Sequence, residues 1–116
     1  MQYNAILIKS LQASGAVSAK RFVDFNGRQI DSAGKGALGI ALYDADDGEA
    51  VPVVVLGTAV VESGGIISVG DYLTSDANGK AITATTGQTI NAIALSAASG
   101  AGQEIEVLLV SPVTTA

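Results

Sequence analysis

Two short stretches decide how this chain reads: "VDFNGRQI", Val23 to Ile30, and "SDANGKA", Ser75 to Ala81. Both write Asp-x-Asn-Gly followed by a basic residue. An acidic, glycine-bearing loop can hold a hard cation, or it can turn one strand back on the next. The EF-hand spacing wants acids at positions 1, 3 and 5, Gly at 6 and Glu at 12. Here Gly stands fourth and no late Glu follows, so the spacing predicts turns. Asn-Gly suits a type I′ hairpin turn, which needs positive φ at both central residues.

The match extends outward from these two sites. "SGAVSAKRFVDFNGRQI…LGIALYDADDGEAVPVVVLG" (14–57) lies over "SGGIISVGDYLTSDANGKAI…NAIALSAASGAGQEIEVLLV" (63–110). Four blocks recur in the same order: Ser-Gly, Asp-x-Asn-Gly-basic-x-Ile, x-Ile-Ala-Leu-x-x-Ala, and a closing Gly before a β-branched run. Two units are too few for a solenoid. The expectation is therefore an all-β fold, a small β-barrel or β-sandwich built from two pseudo-symmetric repeats with little helix. Each repeat offers short runs rich in aromatic and β-branched residues, "KRFVDF" and "DYLTSD", and long central runs, "AVPVVVLGTAVV" and "EIEVLLVSPV". In the last, Ile105, Val107 and Leu109 alternate with Glu104, Glu106 and Leu108, which predicts one buried face. Pro52 lacks a donor and belongs at an edge or a strand start. Residues 1–13 lie outside the repeat and form a strand of their own subunit or an arm for a neighbour's sheet; residues 14–116 form one β domain. "VTTA" at 113–116 reads as an untethered tail.

Composition narrows function. The chain has no Cys and no His, so disulfides, thiol nucleophiles, imidazole bases and the usual zinc sites are closed to it. Net charge is −5, which disfavours nucleic acid as a partner. Residues 1–35 carry five bases against two acids, and residues 36–116 one base against nine acids. Either the chain has a basic and an acidic end that attract other copies, or the halves interleave and the asymmetry vanishes. No run approaches the roughly 20 apolar residues that span a bilayer, and "MQYNAILIKSLQ" lacks the features of a secretory signal. A soluble protein made in a cytoplasm is expected.

Other patterns are weighed against ordinary loops. Asp44, Asp46, Asp47 and Glu49 could hold Ca²⁺ or Mg²⁺, but the spacing misses the EF-hand and the matching segment "SAASGAGQE" keeps one acid. Ser32 to Lys35, "SAGK", fits Ser-x-x-Lys formally without the companion motifs, and reads as a flexible loop. Asp71 and Asp76 are the best pair for a carboxylate hydrolase, and nothing in their spacing favours it. A sugar-binding surface would draw on Tyr3, Phe22, Phe25, Tyr43 and Tyr72.

Taken together, "RFVDFNG", "LGIALYDADDGEAVPVVVLGTAVVESGG", "ISVGDYLTSDANGKAI" and "IALSAASGAGQEIEVLLV" resemble the head decoration, or capsid cement, proteins of tailed bacteriophages and prophages. The resemblance covers most of Arg21 to Val110. It implies a non-enzymatic structural protein of the virion that binds the outer capsid surface and locks neighbouring coat subunits. It also implies two partners, the major capsid protein and further copies of itself, with a trimer expected. Nucleic acid and membrane are not expected partners. No catalytic residue, cofactor or metal ligand is assigned, and the contact residues stay open. The alternative is a carbohydrate- or surface-binding β module of a phage fibre or host protein.

Overall fold

The computed structural model describes residues 4–114, the last four through their backbone alone. Eight strands run in the order β1 (Ala5–Gln12), β2 (Phe22–Val23), β3 (Gly39–Ala41), β4 (Ala50–Glu62), β5 (Tyr72–Ser75), β6 (Ala81–Thr83), β7 (Thr89–Ala94) and β8 (Glu104–Thr114). No helix occurs among the described residues. The strands form one sheet, β2-β3-β4-β8-β7-β5-β6, with β1 added on β4. Its two ends approach one another. Phe22 N donates to Gly79 O at 2.8 Å and Arg21 Nη1 to Asn78 O at 2.9 Å, so the sheet is nearly closed into a barrel.

The β-branched runs form the centre, as their composition predicts. In β8, Ile105, Val107 and Leu109 are buried while Leu108 points out. In β4 the pattern is less simple. Val51 and Val53 enter a cluster with Ala13, Val17, Val23, Ala41 and Ala45. Val54, Ala59 and Val61 enter the larger cluster with Phe22, Ile40, Ile67, Leu73 and Ile105. An even-numbered residue and then odd-numbered ones therefore reach the same core. Gly57, at φ +97°, accounts for this: an extra residue at a bulge inverts which side chains face which way. A Cβ there would also collide with the backbone oxygen of Asn4, just ahead of β1.

The turn type differs from expectation. Gly27 and Gly79 have positive φ, but Asn26 and Asn78 do not, so neither hairpin is type I′. Asp24 Oδ1 accepts from Asn26 N and Arg28 N at 2.9 and 3.0 Å. Asp24 N donates to Arg28 O and Gly27 N donates to Asp24 O. Asp76 makes the same four bonds with Asn78, Lys80 and Gly79. These are three-residue loops ending in a left-handed Gly. The carboxylate satisfies two donors, so one residue with positive φ suffices. Further recurrences are the lone bridges Val17↔Ala45 and Ile67↔Ala98. That whole halves are copies of one unit is a proposal these local likenesses support.

Three other expectations change. Pro52 lies inside β4, which is paired on both sides. Its carbonyl accepts from Leu42 N, just past the end of β3, where no ladder donor is needed. Val113 and Thr114 are part of β8, paired with Ile90 and Thr89, and the rest of the expected tail lies outside the described residues. The loop at Ser32–Lys35 is tied down: Gly34 N donates to Ser75 O, Thr89 N to Gly34 O, and Asn91 Nδ2 to Lys35 O.

The turn chemistry predicts a clear ranking. Asp24→Ala or Asp76→Ala costs about 1–3 kcal/mol in urea unfolding, because two backbone donors lose a charged acceptor. Asn26→Ala and Asn78→Ala stay within about 0.5 kcal/mol. Type I′ turns would give large losses at the asparagines.

Candidate interaction surface

Turn formation consumes most of the exposed carboxylates. Asp44 Oδ1 accepts from Ala19 N at 2.7 Å, Asp47 Oδ1 from Gly15 N at 2.8 Å, and Glu49 Oε1 from Asp46 N at 2.7 Å. Asp71 Oδ2 takes Ser68 N and the Thr83 hydroxyl. The 44–49 acids thus brace three separate stretches of backbone, and Asp71 and Asp76 each serve their own loop. Among the described residues, no group of three or more acids converges as a metal site would require.

The charge asymmetry largely interleaves. Lys20 pairs with Glu104 at 3.1 Å, Arg21 with Glu62 at 3.3 Å, Lys80 with Glu62 at 3.1 Å, Arg28 with Asp31 at 3.7 Å and Lys35 with Asp24 at 3.9 Å. Arg21 and Lys80, half-buried, grip one carboxylate from opposite halves of the sequence. Burial pushes the Glu62 carboxyl up. The hydrogen bond from Lys80 and the charges of Arg21 and Lys80 outweigh it, holding the group below its ordinary 4.5. Lys9, on β1, makes no ion pair among the described residues.

The aromatics do not assemble. Phe22 is core; Phe25, Tyr43 and Tyr72 are exposed on three different elements, and Tyr3 lies outside the described residues. A groove of about 310 Å³ between Ala41–Tyr43 and Ala59–Val60, bridged by Lys20 and Glu104, contains Tyr43 alone of these. A second, shallower groove contains Phe25 alone.

Outward-facing aliphatics gather on two surfaces. Register places Tyr72 beside Ile93, Ile93 beside Leu108 and Leu108 beside Thr58. The next outward row is Leu95, Glu106 and Val60. Tyr72, Leu95 and Leu108 are 57, 43 and 39% exposed. On β1, Ile6, Leu7 and Ile8 are exposed at 79, 47 and 46%, and Leu56 across from Leu7 at 44%. A monomer rarely shows such patches unless they are used. Leu108 was legible as an apolar residue on the outward side of "EIEVLLV", in line with Glu104 and Glu106. The exposure of β1 was not, because its apolar run looks like core.

The phage cement protein family matches residues 1–109 of this chain. The chain belongs to that family. Among solved structures, it is similar to the head fibre gp8.5 N base of bacteriophage phi29, with a TM-score of 0.74 and 22% identity over 90% of this chain and 93% of that one. At that identity the likeness speaks for the fold. No curated protein matches the sequence. The family match makes this a structural phage protein associated with the capsid, and it extends through the N-terminal strand that the sequence resemblance had left out.

Glu62 supplies the pH prediction. Its folded pKa is the lower one, so its stabilisation is complete above the unfolded value and is lost as pH falls through the folded value. Glu62→Gln lowers stability at neutral pH by about 1–3 kcal/mol, leaving two half-buried cations side by side. It also flattens the decline in melting temperature below about pH 5. An unchanged acid limb in the variant refutes this role.

Proposed function

We propose that this chain is a decoration protein that binds the outer surface of an assembled phage capsid and fastens neighbouring coat subunits, without catalysis. Membership of the cement family over residues 1–109 carries the reading. The surface supports it: extensive outward aliphatic area, and carboxylates spent on turns and ion pairs. A domain of this size covers only a modest interface in one contact. Strength then comes from several copies engaging several coat subunits at once, since each further contact is made at high effective concentration. A self-associated form, with a trimer expected, is part of the proposal, and so are the major capsid protein as partner and the capsid surface as location. A sugar-binding module is less well supported, because neither of the two grooves described above gathers two of the exposed aromatics.

Incubation of the purified protein with expanded, undecorated shells of the matching phage, followed by co-sedimentation, tests the reading. Saturable uptake, with decorated shells surviving heating that opens bare ones, is the expected outcome. Absence of uptake defeats it.

A further inference from the structure

We propose that β1 of one copy seats on the outward face of β5, β7 and β8 of a second copy, with Lys9 of the first meeting Glu106 of the second. The inference deepens the self-associating form proposed above and rests on it.

Two surfaces of this chain are incomplete in complementary ways. The first is β1. It pairs only with β4 and holds Ile6, Leu7 and Ile8 in solvent. An exposed apolar edge strand is a ready partner for another chain unless something covers it. Beside those residues stands Lys9, the one base outside the ion pairs made among the described residues. The second is the outward face, where Leu95, Glu106 and Val60 share a row and Tyr72, Ile93 and Leu108 share the next. Glu106 is half-buried between aliphatic neighbours, and no cation reaches its carboxylate among the described residues. A carboxylate in that setting asks for a cation carried on an apolar support, and β1 is such a support.

The signs fix the arrangement. Two outward faces pressed together would bring Glu106 towards Glu106, with Asp71 nearby, while Glu104 is already paired with Lys20. Two β1 strands together would oppose Lys9 to Lys9. Only β1 against the face pairs opposite charges, with Leu7, on the same side of the strand as Lys9, laid on the aliphatic rows. Unlike surfaces meeting in this way close into a ring when the rotation allows it, which suits a multivalent tile.

Sedimentation velocity of the full chain without shells tests the inference. The native protein is expected to self-associate at micromolar concentration. Lys9→Glu and Glu106→Lys should each weaken association about tenfold or more, since like charges then face each other. The double variant should regain most of the loss. Lys9 is exposed and Glu106 half-buried on the outward face, and Lys9→Gln and Glu106→Gln, with smaller losses expected, guard against misfolding. A native chain that stays monomeric at about 100 µM, single variants that associate normally, or a double variant that does not recover overturns the proposal. If Glu106→Lys abolishes shell uptake but leaves the sedimentation unchanged, the face belongs to the coat protein and this inference fails while decoration stands. If the charge swap behaves as expected but shells take up no protein, the contact stands and the decoration reading falls.

Discussion

Strand β4 is the member on which the remaining elements depend. It hydrogen-bonds β1, β3 and β8, and its two faces feed different parts of the core. Without the inversion at Gly57, Ala59 and Val61 would face away from the cluster that Val54 enters, and the second half of the strand would present its valines to solvent. The bulge lets one continuous strand serve two packing problems. The same site brings Asn4 against Thr58, where Asn4 N donates to Thr58 Oγ1 at 2.7 Å. Consequently the residue that corrects the core also fixes where the exposed strand β1 begins.

A core poor in aromatics needs help in holding its long connections. Phe22 is the only fully buried aromatic side chain among the largest core residues, and much of the rest is Val and Ala. Small side chains pack closely but give little area each. The loops are therefore secured by polar contacts. Carboxylates of Asp24, Asp44, Asp47, Glu49, Asp71 and Asp76 all accept backbone N–H groups. Buried Asn91 receives Ala37 N and donates to Lys35 O, joining the 32–37 loop to β7. An acidic sequence here is chiefly the mark of capped turns rather than of a cation site.

Much of the architecture was legible because its signals are local. Strand-forming runs, the alternation of Ile105, Val107 and Leu109, and the turn-forming Asp-x-Asn-Gly stretches each act within a few residues. The turn type escaped because Asn-Gly advertises type I′, whereas an Asp two residues earlier captures the same backbone donors. The tethering of Ser32–Lys35 escaped because its partners, Ser75, Thr89 and Asn91, are distant in sequence. Whether the unequal charge of the two ends made poles or interleaved stayed open in the sequence, because linear sequence cannot show that Arg21 and Lys80 close on one Glu62. For the surface, the limit was of another kind. Aliphatic residues in strands carry the same signature whether they face a core or a partner, so the apolar run of β1 announced burial without saying against what.

That ambiguity has a physical resolution in proteins built to coat other proteins. Exposed aliphatic strands are a hazard for a monomer, since they recruit any free sheet edge. The hazard falls if the same surface is promptly covered by a partner of fixed sign and shape. Isolated charges such as Lys9 and Glu106 contribute little energy while solvated, yet they penalise every register in which like charges meet. Aliphatic area supplies attraction without direction, and the two charges supply direction with little attraction. A tile assembled on that division can be sticky and selective at once, provided its interior is rigid enough to keep the two surfaces in fixed relation. The grip of Arg21 and Lys80 on Glu62, together with the bond from Phe22 to Gly79, gives the nearly closed sheet that rigidity.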